Sequence, residues 1–297
     1  ADGRKKAVTA GGKRMGTFVV TGSSTGIGHA AAKALIERGH TVFGSVRKDA
    51  DGARVKAELG ANYTPLLFDV TDEAAAARAA AEVSSALNGR KLSGLVNNAG
   101  IAVAGPLLHL PIEDFRKQLE VNVTGQLMVT QAFAPLLGQD RELKGEPGRI
   151  VMISSVGGQN ASPFVGAYSA SKFALEGLSE ALRRELLLYG IDVIVIGPGA
   201  IATPIWEKAD EVDTAPFDNT DYAAPLKAVK AYMLDLGRKG LKPEKVGALI
   251  ADSLTLPGRK VRYPIVPSKV EHFMMRNLPK RMLDRIIGKR LGLLPKE

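Results

Sequence analysis

The chain has 297 residues, 45% of them hydrophobic, and no cysteine. That excludes wholesale disorder, disulfides, thiolate nucleophiles and sulfur-ligated metal, and it fits a reducing, cytoplasmic compartment. The formal charge of +9 belongs to the two ends: residues 1–14 carry five Lys or Arg against Asp2, residues 269–297 carry eight against three acids, and the stretch between is neutral. A polyanion would therefore be drawn to the termini and not to the body, and no basic patch interleaved with aromatics supports nucleic-acid binding.

Residues 1–14 (ADGRKKAVTAGGKR) read as a flexible basic tail, and the start without Met suggests processing. No apolar run approaches the 18 or so residues of a membrane span and no signal-peptide centre is present, so a soluble protein is expected. The four histidines, His29, His40, His109 and His272, form no ligand-like cluster, and no metal is expected.

From residue 15 to 268 the pattern is that of one domain. A first strand, Thr17–Thr21, runs into TGSSTGIG (21–28), and a packed helix over 28–38 closes at Gly39. Strand Thr41–Val46 ends in Arg47-Lys48, and strand Pro65–Phe68 ends at Asp69-Val70. A helix over 72–87 has acids in its first turn, where the helix dipole favours them. Strand Leu95–Asn97 leads to Asn98-Ala99-Gly100, and Asn122 lies in VNVTG. Strand Ile150–Ile153 leads to Ser155, and a long helix over 171–188 follows Tyr168. Strand Val193–Ile196 leads to GPGAIATP (197–204). Residues 205–240 break the rhythm with short helical patches and read as a small substrate lid. RYPIV near residue 262 resembles a late strand whose Pro264 suits an edge. Residues 269–297 form a basic, amphipathic C-terminal extension. Apolar strands alternating with helices predict an α/β fold, a doubly wound parallel sheet with nucleotide at its switch point.

Three glycines between a strand and a helix let backbone N–H groups close on a pyrophosphate at the helix N-terminus. Gly22, Ser24, Thr25, Gly26, Ile27 and Gly28 are the residues expected to line it. Tyr168 and Lys172 sit four apart and share a helix face. The ammonium, with a positive nicotinamide ring, should lower the phenol's pKa so that Tyr168 serves as general acid/base. Ser155 is placed to hydrogen-bond the reacting oxygen. As a nucleophile Ser155 lacks a G-x-S-x-G elbow and a histidine partner.

These stretches, T-G-x-x-x-G-x-G, Asp69-Val70, N-N-A-G at 97–100, Asn122, Ser155 with Y-x-x-x-K, and Pro198-Gly199 with Thr203, together resemble the short-chain dehydrogenase/reductase family over about residues 15–205. The resemblance implies a Rossmann fold and NAD(P)-dependent hydride transfer between a secondary alcohol and a ketone. It implies that Asp69-Val70 contacts adenine and that Asn98, Ala99 and Gly100 line the nucleotide. It places Pro198, Gly199, Ile201 and Thr203 at the nicotinamide and gives Lys172 the ribose. Asn122 would hold a water relaying protons from Lys172. The alternative is a sensor or scaffold of the same fold without turnover, against which Asn122, Ser155, Tyr168 and Lys172 all stand intact.

An acid at the end of the second strand would favour NAD. Val46 stands there instead, and Arg47-Lys48 offers cations to a 2′-phosphate, with a hydroxyl from Thr25, so NADP is favoured over NAD. Leu107, Leu108, Phe164, Ile205, Trp206 and Phe217 should face the substrate. No Arg or Lys falls in 103–110 or 157–165, which points to a hydrophobic alcohol or ketone. Arg262-Tyr263 and Leu278-Pro279 loosely resemble the steroid, retinol and hydroxybutyrate dehydrogenase branch. Phe173, Leu175, Leu178, Leu182, Leu186 and Leu187 offer more apolar surface than one sheet face needs, and relatives pair through this helix, so a homodimer or homotetramer is expected. Phe273, Met274, Met275, Leu278, Met282, Leu283, Ile286 and Ile287 among Lys and Arg suit either a membrane surface or a helix packed on the domain or a partner subunit.

Overall fold

The computed structural model describes residues 15–206, 213–258 and 260–295. The expected tail at 1–14 and residues 207–212 of the expected lid lie outside the described residues.

Seven strands form one parallel sheet: β1 Thr17–Val20, β2 Thr41–Val46, β3 Tyr63–Leu67, β4 Gly94–Asn97, β5 Arg149–Ile153, β6 Asp192–Pro198 and β7 Arg262–Ile265. Their order is β3-β2-β1-β4-β5-β6-β7, with registers such as Val19↔Phe43, Val96↔Val151 and Gly197↔Pro264. The chain winds outward first through β2 and β3, then returns to the other side of β1 at β4. The order thus reverses between β1 and β4, and TGSSTGIG leaves β1 at that switch point. Pro264 lies on the edge strand, where its missing N–H leaves no neighbour unpaired.

Helices cover both faces. On one lie α1 (Gly26–Glu37), α2 (Asp49–Leu59) and α8 (Pro243–Thr255); on the other lie α3 (Glu73–Leu87), α5 (Gly125–Ala134) and α6 (Gly166–Glu185). Between Ile112–Leu119 (α4) and α5 the chain passes through a π-helical turn, Glu120–Thr124. The interior-facing strand residues are apolar on both faces: Phe18 and Val20 enter one core, Val19 and Leu95 the other. This two-sided burial is why the strands read as continuous apolar runs. Asp72 caps α3, its carboxylate accepting from Ala75 N at 2.8 Å.

Three expectations change. The region after β6 holds a full helix, α7 (Ala223–Arg238), instead of short patches. Its Leu226 and Val229 join Phe164 and Phe217 in a small separate core. The C-terminal extension is two helices, α9 (Lys269–Asn277) and α10 (Lys280–Leu291), parted at Leu278-Pro279, because Pro279 cannot continue α9's hydrogen bonding. The long helix starts at Gly166, so Tyr168 sits in its first turn. Along it Leu175, Leu182 and Leu186 are buried within this one chain and Leu178 packs against them. Only Phe173 (46% exposed) and Leu187 (72%) of the six residues expected to pair subunits remain outside.

Candidate active site

Gly22 and Gly26 have φ of +64° and +59°, a conformation that side chains disfavour. At Gly28 a Cβ would fall 2.3 Å from the Gly22 carbonyl oxygen, so α1 approaches the loop backbone as closely as atoms allow. Thr25 makes no side-chain capping bond and the first turn of α1 holds no acid. The helix therefore presents free N–H groups and its positive dipole end to the loop, which fits a pyrophosphate.

Neighbouring strand ends hold that cradle rigid. Thr21 Oγ1 accepts from Asn98 N at 2.9 Å and Ala99 N at 3.0 Å, while Asn98 Nδ2 donates to the carbonyls of Thr21 and Gly22 at 2.9 and 3.1 Å. Gly22 N donates to Ser45 Oγ at 2.9 Å, and Arg54 pins the Ser24 carbonyl at 2.8 Å. Across the loop, Thr203 Cγ2 lies 3.3 Å from where a Gly26 Cβ would be. Of the other residues expected beside the nucleotide, Ile27 is half-buried against one core, Ile201 (4% exposed) turns its side chain into the same core, and Val70 (5%) turns its side chain into the other. Gly199 N donates to Ile265 O at 2.9 Å, tying that segment to β7. Gly100 sits beneath Asn122, with 3.1 Å from its would-be Cβ to Oδ1.

At the adenosine end, Asp69 Oδ1 accepts from Thr71 N and Oγ1 at 3.0 and 2.9 Å, and its Oδ2 lies 3.9 Å from Arg47 Nη1. Arg47 is mostly solvent-facing, its side chain 70% exposed. Val46 is 3% exposed and packs over Gly52 of α2. Residue 46 thus points into the fold, and an acid there would be buried. Arg47, the next residue, is the one turned outward beside Asp69.

Tyr168, in the first turn of α6, stands beside Ser155. Gly157 lies over both, its would-be Cβ 3.3 Å from Ser155 Oγ and 3.5 Å from the Tyr168 ring. Ser155 Oγ also accepts from Gly157 N at 2.9 Å and points at the Pro198 carbonyl at 3.5 Å. Lys172 is 4% exposed. Its Nζ donates to Ile153 O at 2.8 Å and lies 5.7 Å from the centre of the Tyr168 ring. Asn122, in the π-turn, is fully buried: Ile101 N donates to its Oδ1 at 2.9 Å, and its Nδ2 donates to Ile101 O and Ser171 Oγ, both at 3.0 Å. Both ends of the amide are engaged in bracing the β4–α4 loop against α6, and Oδ1 keeps a second lone pair for a further donor.

The electrostatics differ from expectation at Tyr168. Burial raises its pKa, and the hydrogen bond with Ser155 opposes that only partly. The ammonium expected to lower it is turned to Ile153 O and is itself partly discharged by burial. Lys172 is lowered to about 8, with Glu176 holding it up. Lowering of the phenol in the chain alone is not found.

Two residues near the site escaped the sequence reading. Glu176 receives Arg262 in a two-pronged ion pair, Nε to Oε1 and Oε2 at 3.1 and 3.0 Å and Nη2 to Oε1 at 3.0 Å. The same Nη2 donates to the Ser155 carbonyl at 3.3 Å, and the guanidinium lies on Gly197, where a Cβ would be 2.4 Å away. Glu176 could have been found as the residue one turn beyond Lys172 on the same face. Arg262 has no sequence signal, since only the sheet brings β7 beside β6.

The substrate side also changes. Phe164 and Phe217, expected to face substrate, are 6% and 7% exposed in the small core with α7. Trp206 seats its ring on Gly237 of α7, and its Nε1 donates to Ile201 O at 2.6 Å. Leu107 and Leu108 remain exposed at 59% and 80% and Ile205 at 39%. Leu107 lies against Gly166 and lines an open groove of about 810 Å³ with Pro163, Phe164, Leu294, Arg281 and Arg285. Two cations from α10 therefore stand beside a wall that the sequence read as apolar throughout.

A family model described as short chain dehydrogenase matches residues 16–214. An NADPH-dependent 3-dehydrocapnine reductase from Ornithobacterium rhinotracheale is 39% identical over 280 residues, 94% of this chain and 98% of its own. A 3-amino-tetrahydro-pyrrolizinone reductase from Xenorhabdus hominickii is 40% identical over 192 residues, covering 65% and 64% of the two chains. The crystal structure of a short-chain dehydrogenase from Streptomyces avermitilis superposes with a TM-score of 0.73 at 26% identity, over 94% of this chain and 95% of that one.

Proposed function

The chain belongs to the short chain dehydrogenase family and is an NAD(P)-dependent oxidoreductase, and from that premise we propose that it reduces the ketone of a hydrophobic substrate to a secondary alcohol, and reverses the reaction, with NADPH preferred. The observation that carries this reading is the juxtaposition of Tyr168 and Ser155 over a buried lysine, beside a glycine cradle that fits a dinucleotide. The 3-dehydrocapnine reductase, alike over nearly its whole length, supports both the direction and NADPH.

Gly22, Gly26 and the N-terminus of α1 would hold a nicotinamide dinucleotide, which would supply the hydride that a carbonyl carbon accepts. Ser155 Oγ and the Tyr168 phenol converge on the position of the carbonyl oxygen, where both donate hydrogen bonds as charge develops. Tyr168 then gives up its proton to that oxygen, and in oxidation takes it back. Lys172 places a positive charge beneath the phenolate left behind, and its low pKa keeps it able to exchange a proton near neutrality. Ile153 O orients its Nζ, while Asn122 holds the loop that roofs the cradle. Arg47 stands where a 2′-phosphate would meet a cation. Phe173 on α6 and Leu187 in the turn that follows it are the surface through which we place a homodimer or homotetramer.

The test is a panel of hydrophobic ketones and secondary alcohols run with NADPH/NADP and NADH/NAD. Tyr168→Phe should abolish turnover while NADPH affinity, read by fluorescence titration, stays within a few-fold. Ser155→Ala should lower kcat on the order of 10²-fold or more. Turnover in Tyr168→Phe like that of the native chain would sink the mechanism. NADPH binding without any turnover in the native chain would leave the sensor reading instead.

A further inference from the structure

Helix α9 has no buried residue in any of its turns. Val270, Phe273 and Met274, at i, i+3 and i+4, form one stripe and are 71%, 66% and 51% exposed. Helix α10 is anchored on one side only, by Leu283 (4% exposed) and by Arg290 stacked on Tyr232 at 4.3 Å. Away from that anchor, Met282 and Ile286 are 53% and 49% exposed, with Lys289 on the same stripe. Residues 269–291 carry seven Lys or Arg against Glu271 and Asp284. Large exposed apolar side chains at helical spacing, rimmed by cations, are the composition of a helix that lies in a lipid headgroup layer.

We propose that α9 and α10 dock the protein onto an anionic lipid surface, with Phe273, Met274, Met282 and Ile286 entering the headgroup boundary and the flanking Lys and Arg meeting lipid charge. A second copy of this chain is the competing occupant of the apolar stripes. Pairing the same face on two copies would bring two clusters of excess positive charge together, and charge complementarity disfavours it. Around α10, the groove-lining Arg281 and Arg285 lie between the anchored face and the exposed stripe. Docking would thus set the mouth of the groove at the lipid boundary. The use of that placement to collect water-poor substrate rests on the ketoreductase reading; the docking itself does not.

Vesicle flotation tests it, with full-length protein, phosphatidylcholine vesicles, and phosphatidylcholine vesicles carrying phosphatidylglycerol. The native chain should float with the anionic vesicles, weakly or not at all with the zwitterionic ones, and less as salt rises. Phe273→Glu with Met274→Glu should lower anionic-vesicle binding at least tenfold. Lys280→Gln with Lys289→Gln should lower it about fivefold per charge removed without touching the apolar stripe. Turnover of a water-soluble ketone should be unchanged in both variants, which separates a failure of docking from a failure of the enzymatic reading. Binding to neither vesicle, or unchanged binding in both variants, overturns the proposal. So does a light-scattering mass that halves in Phe273→Glu without vesicle binding, which would make the stripe a subunit interface.

Discussion

Lys172 is the residue whose placement most needs a functional reason. Moving its pKa from 10.5 to about 8 means that keeping it charged in the fold at neutral pH costs about 3 kcal/mol. An apolar side chain would fill the same space without that cost, and the role proposed for the ammonium beneath Tyr168 is what would offset it. Glu176 offsets part of the burial cost, which makes it a positioning residue with a measurable signature. With Glu176→Gln the countercharge is lost and Arg262 remains nearby, so both effects lower Lys172 further below about 8. If turnover requires the ammonium, the alkaline limb of kcat/KM should move to lower pH, and Glu176→Asp should restore part of it. A limb that stays in place in a folded Glu176→Gln enzyme would make the ion pair purely structural.

At the scale of elements, the course of the chain at the end of β2 decides which side chain stands beside Asp69. Ser45 turns to the glycine loop, Val46 into the core and Arg47 outward beside Asp69. The 3.9 Å contact between Arg47 and Asp69 is exposed and contributes little by itself, so the guanidinium is free to swing to a phosphate. Arg47→Ala should weaken NADPH by about 1.5–3 kcal/mol and NADH much less. Arg47→Asp should go further and reverse the preference, by repelling the phosphate and accepting from ribose hydroxyls. Val46→Asp should instead lower the melting temperature, because it buries a carboxylate over α2. Equal damage to both cofactors in Arg47→Ala would remove the phosphate assignment.

Across the whole molecule, two large cores on the sheet faces carry the stability, and the lid stands on a third, small one. Trp206 is the peg of that lid, held by Gly237 and Ile201 O. Trp206→Ala should therefore raise KM and expose the chain near α7 to protease, while the global melt moves little. A cooperative loss of several degrees would show that lid and sheet unfold as one. In subunit pairing, light scattering at micromolar concentration should give a dimer or tetramer, and Phe173→Glu should shift it toward monomer. A monomeric native chain would leave Phe173 and Leu187 as ordinary exposed side chains.

The sequence by itself determined the parallel sheet with helices on both faces and the places of six of its strands, and it singled out the glycine turn and Ser155, Tyr168 and Lys172 as candidates. Each of these is written in short-range terms: apolar runs buried on two faces, glycines where backbones touch, and a Tyr–Lys pair one helical turn apart. What tertiary structure alone decided lies where distant segments meet. Arg262 reaches Glu176 and Ser155 only because β7 is laid beside β6. Arg281 and Arg285 reach the groove only because α10 packs on α7 through Leu283, Leu291 and Arg290. Phe164 and Phe217 are buried because the lid, too small to bury an apolar face alone, takes them as its core. The Tyr168 pKa rises because burial, a property of the finished fold, outweighs the opposing influence of Ser155.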